Sequence, residues 1–332
     1  MTRTALIVGG SGQIGQAVGH VLVAAGWRVT SAQRHASEPV PGVETVILDR
    51  DTPGALARAI GGGMDAVIDT VAYDTGHARQ LLEVQGDVGA FAVISSASVY
   101  RDAEGRTLDE ARETGFPQFP EPIAEDQPTV APGPATYSTR KVALEQILLQ
   151  EATSPVTILR PCAIYGPGSR HPREWFFVKR ILDGRRVVPL AWGGRSRFQT
   201  SATANIAELV RVAMEAPGTQ VLNAGDAQAP SVTQIGEAIA EVYGHEWRLA
   251  PFDGPPVGGV GGHPWGIPRP IVVDMTRAAA LGYRPVTTYT EAVGEACRSA
   301  EAAAQAGVAF PDYILALFDY AAEDAFLANR AA

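Results

Sequence analysis

Cysteine is almost missing from this chain: its 332 residues hold only Cys162 and Cys297, too few and too far apart for a disulfide framework or a thiolate metal site. An excess of basic residues is missing too, with 27 Lys and Arg against 36 Asp and Glu and a formal net charge of -9. Phosphate backbones are gripped by clustered Lys and Arg, so this balance argues against nucleic acid and for a small-molecule partner. No apolar run approaches the ~20 residues of a membrane-spanning helix. The opening residues run directly into Ala5-Leu6-Ile7-Val8 and glycines, without the basic region and apolar stretch of a secretory leader, so a soluble, cytoplasmic protein with no membrane association is expected. The six histidines show no His-Glu-x-x-His or similar spacing, and no metal is expected. We find no internal repeat.

What is present is apolar material in alternating blocks. With 46% hydrophobic and 19% charged residues, the chain can build one large domain or two that share a core. Short β-rich runs near 4–9, 28–32, 43–48, 66–71, 91–95 and 156–160 alternate with helix-like segments, which predicts a parallel sheet covered by helices on both faces. Ile14 to Ala25, closed by Gly26, reads as one crossover helix, and Thr136 to Glu151 as another. After residue 165 Pro and Gly become frequent, and 250–270 is too rich in them for regular structure. Residues 166–330 therefore read as mainly a smaller substrate domain with C-terminal helices. It interleaves with the first domain, because Val221-Leu222-Asn223-Ala224 reads as a strand, near 220–225, returning to the main sheet. In the tail, Ile314, Leu317, Phe318, Ala321 and Ala325 fall at helical spacing on one apolar face, which packs on its own domain or serves a homodimer.

Glycines 9, 12 and 15 of Gly9-Gly10-Ser11-Gly12-Gln13-Ile14-Gly15 stand between the first strand and the first helix. Glycine there permits the tight turn, a close backbone approach to a pyrophosphate, and close helix-to-strand packing, while the helix N-terminus favours negative charge. The fold expected is thus a Rossmann-type doubly wound α/β sheet. At the end of the second strand, where an NAD enzyme usually presents a carboxylate to the ribose, stand Gln33 and Arg34. A guanidinium can pair with a 2′-phosphate, so NADP is the expected cofactor, with NAD as the alternative.

Tyr137 and Lys141 lie four residues apart in a predicted helix, on one face. A positive charge nearby lowers a tyrosine pKa, which suits Tyr137 to act as acid or base in hydride chemistry. Ser96, in Ser95-Ser96-Ala97-Ser98-Val99-Tyr100, follows the strand Phe91 to Ile94 and falls where strand carboxyl ends meet a ligand crevice.

Taken together, GGSGQIG, VILDRD, SSASVY, YSTRK, LRPCAIYGPG (159–168) and DMTRAAALGYRP (274–285) resemble the extended short-chain dehydrogenase/reductase superfamily, in its NAD-dependent epimerase/dehydratase branch. The resemblance implies Ser96, Tyr137 and Lys141 as the catalytic set. It implies Asp49 and Arg50 as adenine contacts, Val71 and Ala72 as the wall beside the ribose, and Pro161 and Ile164 as backbone contacts to nicotinamide. On the substrate side, Ser98, His171, Trp175 and Arg197 are candidates, through ring stacking or an anion contact; Trp175 and Phe176 have a core reading as well.

The chain also departs from that pattern. The stretch from Ala72 to Ser95 is shorter than in sugar-nucleotide members and lacks the Asn-Val helix start that often builds their dimer. Ala97-Ser98 replaces the Asp-Glu of dehydratases. The segment 101–136 is long and rich in Pro and acids, and reads as a surface loop or a lid, as does 257–266. The expected function is an NADP-preferring oxidoreductase acting on a secondary alcohol or ketone of a small polar molecule. The alternatives are a sugar-nucleotide epimerase with tightly held NAD and, in another class, a cofactor-sensing or RNA-binding protein without chemistry.

Overall fold

The computed structural model describes residues 2–36 and 38–331. In chain order the elements are β1 (Thr4–Val8), α1 (Gln13–Ala24), β2 (Arg28–Gln33), β3 (Val43–Ile47), α2 (Ala55–Ile60), β4 (Ala66–Asp69), α3 (Thr75–Glu83), β5 (Phe91–Ile94), α4 (Ala111–Thr114), α5 (Tyr137–Glu151) and β6 (Val156–Pro161). They continue with β7 (Ala163–Tyr165), α6 (Trp175–Leu182), β8 (Val187–Leu190), β9 (Thr200–Ala202), α7 (Thr203–Glu215), β10 (Gln220–Ala224), α8 (Val232–Tyr243), β11 (Arg248–Pro251), α9 (Thr276–Ala280), α10 (Tyr289–Gln305), α11 (Asp312–Leu315) and α12 (Tyr320–Ala331).

Seven of these strands form one sheet in the order β10-β6-β5-β4-β1-β2-β3, and every pairing is parallel. Strands β4, β5 and β6 are buried along their whole length, which is why they read in the sequence as largely apolar runs rather than alternating ones. The chain runs outward from β1 through β2 and β3 and then resumes on the other side of β1 with β4. This is a Rossmann-type doubly wound sheet, and its order reverses between β1 and β4. In such sheets ligands bind beyond the strand carboxyl ends at the reversal, where the chain here carries the segments after β1, β4 and β5.

The chain divides into two compact units. The first holds Met1–Cys162, Thr203–Gly225 and Val273–Val286, so more of the later chain joins it than one returning strand. The reason is packing: α7 lies against α1 and covers the sheet, and α9 lies against β10. A core that includes Leu6, Val67, Phe91, Val93, Leu144 and Ile158 fills the other layer.

Within this unit the 101–136 segment is strapped down rather than free to swing. Arg101 N donates to Pro128 O (2.9 Å) and Val130 N to Val99 O (2.9 Å). The buried Asp102 carboxylate accepts from the amides of Glu104, Arg106 and Gln118. Ile123 is fully buried, its carbonyl accepts from Asp274 N (2.8 Å), and Glu125 accepts from Asn223 N (3.0 Å).

The second unit holds Ala163–Ala202, Asp226–Val272 and Thr287–Ala332. Its strands form two parallel pairs, β7 with β9 and β8 with β11, around a core that includes Phe176, Phe177, Leu190, Ile235 and Val293. The 257–266 stretch is irregular, but it turns inward and buries His263 and Trp265. The tail departs from the single apolar helix expected of it. It breaks between α11 and α12, and the break resets the helical phase. Ile314 is buried, but Ala321 and Ala325 face solvent while Glu323 is buried instead, paired with the buried Arg180.

Candidate active site

The loop after β1 is built as its glycines require. Gly9 has φ +84°, and a Cβ there would meet Thr70 Oγ1 and Val71 Cγ1 at 2.5 Å; a Cβ on Gly15 would meet Gly9 O at 2.4 Å and Gly10 Cα at 2.6 Å. Gly12 differs, because a Cβ on it would meet nothing nearer than Gly9 O at 3.4 Å. It is the N-cap of α1, with no side-chain cap on the helix, so the first-turn amides from Gln13 onward have no cap partner. Bare amides, an open approach and the positive end of a helix are what a dinucleotide pyrophosphate needs. The buried Gln13 Oε1 has no hydrogen-bond partner among the described residues and is an acceptor beside this cradle. The residues present therefore fit the group. Ile14 is buried and anchors the helix start to the sheet. Gly15→Ala is expected to cost about 1–3 kcal/mol of stability, since the contacts are with backbone that cannot turn aside, and to weaken dinucleotide binding; thermal unfolding with and without dinucleotide measures both.

At the end of β2, Gln33 is buried and its Oε1 accepts from Ser31 Oγ (3.3 Å), so the amide turns inward. Arg34 is exposed and pairs with no carboxylate among the described residues. After β3, Asp49 is exposed, its Oδ1 accepting from Asp51 N (3.1 Å). Arg50 behaves differently from its neighbour. Its guanidinium is buried, with Nη1 on Asp69 Oδ2 (2.7 Å) and Nε on Gln80 Oε1 (2.9 Å), and its carbonyl accepts from Gln80 Nε2 (3.1 Å), so the side chain is turned inward to the sheet. After β4, Val71 is exposed and Ala72 is buried.

The catalytic candidates converge within the first unit. Thr136 and Thr139 form a capping box that starts α5 at Tyr137, and one helical turn later Lys141 faces the same side. Lys141 Nζ donates to Ala72 O and to Ile94 O (2.9 Å), which ties the ends of β4 and β5 to the helix, and it lies 5.6 Å from the Tyr137 ring centroid. Burial pushes the Lys141 pKa down to about 8, with Asp69 and Glu145 opposing the shift and Arg50 adding to it. The ammonium is therefore charged at neutral pH and loses its proton as the pH rises past that value.

Ser96 follows β5 and accepts from Ser98 N (3.1 Å), and it lies near enough to the Tyr137 phenol to favour its ionised form. Tyr137 keeps 41% of its surface accessible, yet its phenol end is crowded. That desolvation raises its pKa, Ser96 partly offsets the rise, and Asp109 and Tyr73 add to it. The lowering expected from Lys141 is therefore not met, because burial of the phenol dominates.

Two neighbours escaped the sequence reading. Tyr73 packs against Tyr137 with ring centroids 5.9 Å apart and accepts from Arg140 Nη1 (3.2 Å); Arg140 lies inside the YSTRK run, but its spacing alone could not show what it touches. Asp109, from the strapped segment, accepts from Ser138 N (2.9 Å). Ser138 Oγ in turn donates to Ser98 Oγ (2.8 Å).

The other candidates are spread more widely. Pro161 ends β6 in the first unit, while Ile164 lies in β7 of the second and its carbonyl accepts from Arg173 Nη1 (3.4 Å). In the second unit, His171 is exposed beside Tyr313, whose hydroxyl lies 3.3 Å from its Nδ1. Arg197 is half-buried with Nε on Ala229 O (3.3 Å). Trp175 is buried edge-on to Phe310 (5.2 Å), packed as a core residue. No group of three or more His, Cys, Asp or Glu side chains among the described residues is arranged to hold a metal ion, and no described helix is long and apolar enough to cross a membrane.

Comparison with known proteins bears on the family of the chain. A 2'-dehydrokanamycin reductase of Streptomyces kanamyceticus is 29% identical over 174 residues, which are 51% of this chain and 45% of that protein, so the match spans less than half of that relative. A 3-diazoavenalumate denitrifying reductase of a Streptomyces species is 25% identical over 229 residues, covering 64% of this chain and 73% of that one. Among solved structures, the Bordetella bronchiseptica enzyme WbmH in complex with NAD+ has a TM-score of 0.69 at 18% identity, covering 91% of this chain and 99% of that one, a likeness of fold. The model of the NAD dependent epimerase/dehydratase family matches residues 5–225, which run from β1 through the glycine loop and the Ser96, Tyr137 and Lys141 cluster to the end of β10. The chain belongs to that family of enzymes.

Proposed function

We propose that the chain is an NADP-preferring oxidoreductase that transfers hydride to or from a secondary alcohol or ketone of a small polar molecule. The observation that carries this reading is the convergence of Ser96, Tyr137 and Lys141 at the strand ends, with a phenol that bears its proton. When bound, the nicotinamide supplies or takes up the hydride. Tyr137 Oη then exchanges the proton of the reacting oxygen, and Ser96 Oγ orients that oxygen by a hydrogen bond. Lys141, seated on two carbonyls, keeps a donor for the ribose hydroxyls and braces the Tyr137 side of the site. Ser98 accepts from Ser138 and retains its own proton for substrate. The names of both curated relatives, each a reductase, support this reading over an epimerase.

The glycine loop, with Gly9, Gly12, Gln13, Ile14 and Gly15, is the proposed pyrophosphate cradle, and Asp49 the proposed adenine contact. Arg34 supports NADP, because an exposed guanidinium at the end of β2 can form charge-assisted hydrogen bonds to a 2′-phosphate where no acid repels it. Arg34→Ala is expected to weaken NADP binding by about 10- to 50-fold and NAD binding by less than about twofold. The test is calorimetric titration of the purified protein with NADPH, NADP, NADH and NAD, after denaturing extraction for any dinucleotide carried through purification. Exchangeable NADP(H) supports the proposal, retained NAD favours an epimerase, and equal loss of both cofactors in the Arg34 variant removes the 2′-phosphate assignment.

A further inference from the structure

The 101–136 segment brings one carboxylate to the start of the helix that carries Tyr137. The first amides of a helix have no intrahelical partner. In α5 the Thr136 hydroxyl takes Thr139 N (3.2 Å), and Asp109 Oδ2 takes Ser138 N (2.9 Å) from 29 residues away. Ser138 then connects onward, its hydroxyl donating to Ser98 Oγ (2.8 Å), while Ser98 N donates to Ser96 Oγ (3.1 Å), and Ser96 meets the Tyr137 phenol. A ring of contacts thus runs from the inserted segment through both serine positions to the reacting hydroxyl. The segment does not hang loose, since Ile123, Glu125 and Val130 bind it to its own unit and Asp102 ties it together internally.

We propose that Asp109 is a positioning residue of the active site: it anchors the first turn of α5 through Ser138 and sets a carboxylate at the helix start beside Tyr137. The groups that face Tyr137 are Ser96 after β5, Tyr73 after β4, Lys141 on its own helix and Asp109 from the inserted segment; Arg140 is engaged by the Tyr73 ring and hydroxyl. Of these, Asp109 is the only carboxylate. An anion close to an acid makes loss of its proton harder. Donation to a substrate oxygen is thereby favoured over abstraction from an alcohol, so the segment biases the site toward reduction. This inference rests on Tyr137 as the proton-exchanging group.

The experiment separates the two claims. The Tyr137 phenol is titrated by ultraviolet difference absorbance, as wild type minus Tyr137→Phe and as Asp109→Asn minus the double variant, which needs neither substrate nor turnover. Asp109→Asn keeps an acceptor for Ser138 N and removes the charge. It is expected to lower the Tyr137 midpoint by about 0.5–1 pH unit at low ionic strength, with the basic limb of kcat/KM for reduction moving down by the same amount. Asp109→Glu is expected to restore most of the shift, and Glu110→Gln, a neighbouring surface acid, to leave the midpoint in place. An unchanged midpoint in a folded Asp109→Asn protein overturns the proposal, as does an equal shift from Glu110→Gln. Should Tyr137→Phe retain full activity, the oxidoreductase assignment of Tyr137 fails, while the titration still decides whether Asp109 acts on the phenol.

Discussion

Tyr137→Phe is expected to lower turnover by about three orders of magnitude while dinucleotide affinity stays within about threefold of wild type. A positioned proton donor is worth about 10²- to 10⁴-fold in rate, and a thousandfold loss corresponds to about 4 kcal/mol of barrier. The substitution removes one oxygen and leaves the ring. The packing of Tyr137 against Tyr73 at 5.9 Å and the place of Lys141 at 5.6 Å from the ring are both kept. Lys141 holds its position through Ala72 O and Ile94 O, so the floor of the proposed cofactor site does not depend on the phenol. Steady-state kinetics alongside calorimetry measures the two quantities separately. A fall in cofactor affinity as large as the fall in turnover would show that the phenol holds the dinucleotide rather than the reacting proton.

Asp69→Asn is expected to cost about 3–5 kcal/mol of stability, because it strands a buried guanidinium. Asp69 is fully buried and Arg50 nearly so, and their bond of 2.7 Å joins the end of β4 to the loop after β3. Arg50 has little to fall back on: Nε is on Gln80 Oε1 (2.9 Å), and Nη2 has no hydrogen-bond partner among the described residues. The double variant Arg50→Met, Asp69→Leu is expected to recover part of the loss, since the pair is then removed together with its desolvation cost. Urea unfolding of the three proteins measures both effects. A consequence reaches the active site, because Asp69 helps keep Lys141 charged. Without that carboxylate the Lys141 pKa falls further below about 8, so the ammonium is lost at a lower pH and the high-pH limb of activity moves down.

Several elements were legible from local pattern. The six strands of the first half were readable because each is a short β-rich run bounded by loop or helix signals, and the returning β10 because Val221 to Ala224 repeats that texture. The glycine loop was readable because a Cβ at Gly9 or Gly15 collides with its surroundings, so the residue type itself reports the turn. Tyr137 and Lys141 were readable because four residues make about one turn of helix. The tail was not. Its apolar spacing suggested one helix with Ala321 and Ala325 inside, but the chain breaks between α11 and α12, and the buried position passes to Glu323. That carboxylate is buried because Arg180 meets it from 143 residues away, and no local period encodes such a partner.

By itself, then, the sequence determined the parallel sheet, the glycine cradle and the helical pairing of Tyr137 with Lys141, since all three follow from backbone period and from the space a side chain needs. Only the tertiary structure decided which buried polar groups meet. It turned Arg50 inward to Asp69, set Lys141 on two carbonyls, and carried Asp109 to the start of α5. The physical reason is that a buried charge or amide must find a partner wherever the fold places one, and those partners lie far along the chain, where spacing says nothing about distance.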